Sequence, residues 1–286
     1  MLGINTNTAS LNAQKNLSTS SGSLNTSIAR LSSGLRVNSA KDDAAGLAIA
    51  SRMTAQIRGF DQAQRNANDG VSLLQVADGA MSKINDNLQR MRELAVQAKN
   101  GTLNDTDRAN LDREYTELAN EVERITSGSQ FNGNAIFTGA NKSVSLQVGS
   151  GNAAGDTLAI NLTEDGLAGG NDLETLLGGA GNIATGLGRV DTVGNATTAI
   201  TEIDAQIDNV TTIRATTGAG LSRLEQISES LQTNSTNLQA ARGRIMDADF
   251  AKETANLTRT QILQQAGTAM LSQANQLPQN VLGLLR

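Results

Sequence analysis

From Phe60 to Ala98 a single rhythm holds. Phe60, Ala63, Ala67, Gly70, Leu74, Ala77, Met81, Ile84, Leu88, Met91, Ala95 and Ala98 follow one another at alternating steps of three and four. Such steps return side chains to one side of an α-helix. Sustained over several heptads, they demand a long helix packed in a coiled-coil-like bundle. Asn100-Gly101-Thr102 stops the series, and Leu111, Tyr115, Leu118, Val122 and Ile125 then mark one face of a second helix. So short a connection predicts an antiparallel neighbour.

Helical spacing returns after Asn195. Ala196, Ile200, Ile203, Ile207 and Val210 form one stripe, and Leu224, Ile227, Leu231, Leu238, Ala241 and Ile245 form another beyond the TTGAG at 216–220. Between the two helical arms, from about 128 to 194, glycine becomes frequent and charge thins out. Val144, Leu146, Val148 and then Leu158, Ile160, Leu162 alternate there with period two across a Gly/Asn/Asp-rich connection, the pattern of a β-hairpin. The expected fold class is therefore mainly α, an elongated antiparallel helical bundle with a small β-hairpin tip. Arms of similar length pack most simply against each other, which puts both termini at one end.

The tails have the same rhythm but a different chemistry. Leu17, Leu24 and Leu31 lie seven apart, and Leu263, Gly267, Met270, Ala274, Leu277, Val281 and Leu284 keep the four-three step. No charge occurs from Gln261 to Leu285, and Lys15 is the one charged residue before Arg30. The glutamines and asparagines of the C-terminal run oppose membrane insertion, because amides are costly in hydrocarbon. Burial in protein suits them, since amides there can be paired whereas charges are penalised.

Burying a Leu or Val gives about 1.5–3 kcal/mol, against roughly 1–2 kcal/mol to fix each backbone residue. Tails this sparse in large side chains are expected to lack order alone and to fold when neighbouring subunits supply more surface. A repeating contact that never closes produces a helical filament.

Composition narrows the functions. The chain contains no Cys, His or Trp. Disulfides, zinc or haem sites built on Cys or His, and catalysis by a Cys nucleophile or His base are thereby excluded. A net charge of −5 offers no basic surplus for phosphates, so nucleic acid is not an expected partner. The opening MLGINTNTASLNAQKNL has neither a basic n-region nor an apolar h-region, so export by a route other than a Sec-type signal is expected.

Several long motifs carry a resemblance. LSSGLRVNSAKDDAAGLAIASRM (31–53), LQRMRELAVQA (88–98), QFNG (130–133), DADFA (247–251) and QILQQAGTAMLSQANQLPQNVLGLLR (261–286) closely resemble bacterial flagellin, in order and spacing. The middle is short, as in a form without the variable outer domains. The resemblance implies a structural subunit of the flagellar filament, not an enzyme, with no cofactor, secreted unfolded through the flagellar type III apparatus to an extracellular location. It implies that 1–42 with 243–286 form an inner coiled-coil domain, carried by Leu17, Leu24, Leu31, Leu263, Met270, Leu277, Val281 and Leu284. Residues 43–242 then form a rod-like helical domain whose tip is at about 128–194. Residues near 32–43 and 242–252 are the expected spokes between them.

The implied partners are further copies of the chain, the flagellar cap and hook-junction proteins, an export chaperone on the C-terminal tail, and the vertebrate Toll-like receptor for flagellin. Gln89, Arg90, Leu94 and Glu114 match the family's positions for a subunit contact that this innate immune receptor also binds. A hook–filament junction protein, which shares such tails, is the alternative. An enzyme displayed on these arms would need an inserted domain, for which 128–194 is too short.

Two local features have ordinary readings. GAGNIA at Gly179–Ala184 matches a dinucleotide fingerprint in letters alone, with no strand before it or helix after it. Asp42 and Asp43 precede a helical run, where carboxylates suit the positive end of the helix dipole.

Overall fold

The computed structural model describes residues 6–137, 143–161 and 187–283, apart from the side chains at 143, 161 and 277–283. In chain order the elements are α1 (Thr8–Ser33), α2 (Ala44–Ala98), α3 (Asp105–Gly128), β1 (Gln130–Phe131), β2 (Asn134–Ala135), β3 (Ser143–Gln147), a 3-10 turn (Ala154–Asp156), β4 (Thr157–Asn161), α4 (Val193–Met246) and α5 (Phe250–Gly283). They form two compact units, Met1–Ile57 with Thr236–Arg286 and Arg58–Ser235, and both α2 and α4 contribute to each. These divisions fall inside the helices rather than at 42/43 and 242/243. Ala50 and Ile57, in the first turns of α2, are buried.

In the tail unit α1 and α5 pack together. Asn7 caps α1 by accepting the Ser10 N–H at 3.0 Å, and Gly34 ends it in the left-handed region at φ 72°. The inner stripe of α5 runs through Glu253, Leu257, Thr260, Gln264, Gly267, Leu271 and Ala274, all buried or half-buried. Leu17, Leu24 and Leu31 are half-buried on α1. The expectation that lone tails lack order differs from this arrangement: the described tail residues form capped helices that shield each other's inner stripe.

The expected stripe of α5 is also divided. Gly267 and Ala274 lie on the inner side, whereas Leu263 and Met270 are exposed at 49% and 65%. Close approach at Gly267, where a Cβ would sit 3.3 Å from Leu17 Cδ1, favours small residues in the seam and turns the large ones out. Helix α5 runs through Pro278 as one element, so the proline does not begin a separate helix. Leu277 and Val281 have side chains outside the described set, and Leu284 lies outside it entirely.

The links between the tail helices and the long helices pair with each other. Leu35 bridges Asp247 in antiparallel fashion, the Arg36 N–H donates to the Met246 carbonyl at 2.6 Å, and the Ala248 N–H donates to the Gly34 carbonyl at 2.9 Å. The two adjacent aspartates divide their work. Asp43 caps α2 by accepting the Gly46 N–H at 2.7 Å, whereas Asp42 accepts from the Ser39 and Asn38 N–H groups and the Ser39 hydroxyl. Those Ser39 bonds hold the Asp42 carboxyl below its usual pKa.

In the second unit α2, α3, α4 and the hairpin share one core. Leu74, Met81, Ile84, Leu88, Met91, Tyr115 and Phe137 are fully enclosed in it. Helix α4 is continuous through TTGAG, where the sequence pattern suggests two stripes. Thr217 is buried, and a Cβ at Gly220 would lie 3.2 Å from Leu74 Cδ1, so this glycine serves close helix packing rather than a break.

Strands β3 and β4 form the hairpin that the alternation predicts, and pair antiparallel with Val144 opposite Ile160 and Leu146 opposite Leu158. Leu162 and Gly179–Ala184 lie outside the described residues. The hairpin sits on one face of α2. There the Asn66 Nδ2 donates to the Gln147 carbonyl at 2.9 Å, and a Cβ at Gly59 would lie 2.6 Å from Ser150 Cβ.

Candidate assembly surfaces

The row singled out on α2 is organised by Arg90. Its Nη1 donates to Glu93 Oε2 at 2.8 Å, one turn along, and its Nη2 and Nε donate to Glu114 Oε1 on α3 at 2.8 and 3.1 Å. The carboxylates raise the guanidinium pKa, Glu114 most. Gln89, Arg90, Glu93, Gln97 and Glu114 are all exposed. Leu94 is not part of that surface. It is 1% exposed and belongs to the core, one step from Ala95 on the seam. The face therefore offers a charge-paired cluster of one arginine and two carboxylates, with an amide at Gln89. Arg92 leaves this cluster to pair with Asp204 on α4, Nε to Oδ1 at 2.5 Å.

Beneath the row, α3 fastens two neighbours. Arg108 is buried and donates to the Ala98 and Asn100 carbonyls at 3.0 and 3.1 Å, satisfying the C-terminal end of α2. Asp112, also buried, accepts from Arg189 Nη2 at 2.7 Å and from the Val190 N–H at 2.9 Å. The Tyr115 hydroxyl donates to the Leu187 carbonyl, and burial pushes its pKa upward. Hydrophobic spacing did not find Arg108 or Asp112, because it weighs only apolar positions. The sequence reading also missed the Asn132-Gly133 turn joining β1 and β2, with φ values of 50° and 79°, which its Asn-Gly hairpin signal could have found.

The tail unit presents a different surface. Leu11, Ile28, Phe250, Ile262, Leu263 and Met270 are all exposed there. Large apolar side chains projecting from a helix pair are a surface that further protein would cover. Among the described residues no group of acidic side chains is placed to hold a metal ion, and no helix is long and apolar enough to cross a membrane.

The described residues thus form a mainly α protein of long helices whose terminal pair carries exposed apolar side chains. The bacterial flagellin N-terminal helical region matches residues 4–142, and the bacterial flagellin C-terminal helical region matches residues 200–285. The flagellin of Halalkalibacterium halodurans is 45% identical over 285 residues, 99% of each chain, so the short middle segment is shared with a relative of similar length. The crystal structure of Bacillus cereus flagellin is 34% identical, with a TM-score of 0.50 over 62% of this chain and 94% of that one.

A putative flagellar hook-associated protein from Vibrio parahaemolyticus has a TM-score of 0.57 over 72% of this chain and 100% of its own. At 16% identity it shares the fold alone. The chain belongs to the bacterial flagellin family, the structural subunits that polymerise into the extracellular flagellar filament.

Proposed function

We propose that the outward faces of α1 and α5 are the surfaces through which this filament subunit polymerises, with residues 1–42 and 243–286 as the inner domain and 43–242 as the rod around it. The observation that carries this reading is the exposure of Leu11, Ile28, Ile262, Leu263 and Met270 on one pair of helices. A neighbouring copy that covers them removes apolar surface from water at about 25 cal/mol per Å². Repetition of one non-closing contact then extends the polymer. Before export, the same face of α5 suits an export chaperone. At the two ends of the growing polymer it suits the cap and hook-junction proteins.

The Arg90, Glu93 and Glu114 cluster is the second contact, and the vertebrate receptor for flagellin reads it on monomers. Leu94 supports that face from the core. Deleting 261–286 tests the first contact. The truncated chain is expected to remain a helical monomer with the stability of the 58–235 unit intact, and to form no filaments in electron micrographs. Loss of folding in the truncated chain contradicts the division of labour. Arg90→Glu places three carboxylates together and is expected to impair both filament formation and receptor signalling; survival of both removes the cluster from the account.

A further inference from the structure

The α1–α5 seam is built largely from Ser, Ala, Gly, Thr and a sparse set of leucines. A row of small side chains carries little register information. Sliding α5 by one heptad, about 10.5 Å at 1.5 Å per residue, moves Leu17 from Gly267 to Thr260 or Ala274, again a leucine against a small residue. Three polar contacts break this degeneracy, two at one end and one at the other. At one end Ser10 Oγ donates to Asn275 Oδ1 at 2.8 Å, and Asn7 Nδ2 donates to the Ala274 carbonyl at 2.7 Å. At the other, Glu253 is 8% exposed and meets Arg30 Nη1 at 3.9 Å.

The Arg30–Glu253 contact is poorly made for stability. The separation is at the limit of an ion pair, and Arg30 Nε is buried without an acceptor. Glu253 is nearly buried while the Arg30 side chain stays 30% exposed, so the pair returns little, yet Glu253 left without its cation would be a buried charge with no partner. A one-heptad slip toward the N-terminus of α1 takes Glu253 away from Arg30 and sets it beside Ser23 and Leu24, with no cation to meet it.

We propose that Arg30–Glu253 and Ser10–Asn275 form a two-point lock that selects the register of the tail helices, as single polar residues do in coiled-coil seams. The lock fixes where Leu11 and Ile28 stand relative to Ile262, Leu263 and Met270. That consequence for assembly rests on the polymerisation surface above; the lock itself does not.

The absence of native cysteine makes register directly measurable. A Cβ at Gly267 would lie 3.9 Å from Leu17 Cβ, inside the disulfide range of about 3.5–4.5 Å. Leu17→Cys with Gly267→Cys therefore bridges in the native register, and Leu17→Cys with Thr260→Cys or Ala274→Cys bridges only after a slip of one heptad. The decisive background is Arg30→Met/Glu253→Leu, which removes the ion pair without orphaning a charge and so keeps the helices paired.

In that background the slipped disulfides are expected to rise about tenfold under added oxidant, equivalent to losing about 1.4 kcal/mol of register preference. The charge-swapped background Arg30→Glu/Glu253→Arg is expected to keep the native disulfide. Three results overturn the lock: unchanged slipped disulfides in the Met/Leu background, equal slippage in the charge-swapped one, or loss of helix in the Met/Leu background by circular dichroism. The last would mean that the contact holds the fold instead of choosing its register.

Discussion

The two units use the same heptad spacing to different ends. In Arg58–Ser235 the seam carries Met81, Ile84, Leu88 and Met91, each closed off by α3 or α4 until none reaches solvent. In the tail unit the seam mixes serines, alanine, glycine and threonine with half-buried leucines such as Leu17 and Leu271, while Ile262, Leu263 and Met270 are exposed. One unit has completed its core within the chain; the other leaves large apolar side chains exposed on its helix pair. Periodicity shows that a helix has a face. Residue size on that face decides whether a neighbour inside the chain or outside it will cover it.

The sharpest contrast comes from making one substitution in both units. Leu88→Ala empties an enclosed site and is expected to lower unfolding stability by about 2–5 kcal/mol in chemical denaturation. Leu263→Ala removes a side chain that is already half in water, and should change the stability of the monomer by no more than about 0.5 kcal/mol. If the two variants lose similar stability, the tail face is not open and the contrast fails.

A smaller effect tests the packing of the 58–235 unit within a single helix. A Cβ at Gly70 would fall 2.2 Å from Leu146 Cδ1 and 3.2 Å from Leu224 Cδ1, whereas Gly79 has open space. Gly70→Ala is expected to destabilise by about 1–3 kcal/mol through overpacking. Gly79→Ala should stabilise by about 0.5–1 kcal/mol, from helix propensity alone. Thermal melts of the two variants moving in the same direction would show that the hairpin does not press on α2 at Gly70.

Much of this was legible because each element is long and repetitive. The 60–98 seam, the second helix and the β-hairpin of the two alternating runs followed from spacing, while the hairpin's register came from the structure. What the pattern could not show was decided by size and by polar partners. Gly267 draws α1 close, so the inner stripe of α5 shifts to Gln264 and Leu271, and Leu263 and Met270 are left outside. Gly220 looks like a breaker in the sequence and proves to be a contact with Leu74.

Leu94 shares a motif with exposed Arg90 yet lies in the core, because a helix seam wide enough to meet both α3 and α4 takes in the position beside Ala95. Asp112 and Arg108 carry no apolar signal at all. Their roles emerge only when the chain brings the Val190 N–H and the end of α2 to them.

If neighbouring copies cover the outward tail face, charge placed on that face must block assembly. Leu263→Glu/Met270→Glu places charge on the open face without touching the α1–α5 seam, and its polymerisation can be followed by pelleting in the ultracentrifuge. The account predicts a chain with the parent's helical content and unfolding midpoint that stays in the supernatant. Filaments of the double variant pelleting at the parent's critical concentration would contradict it.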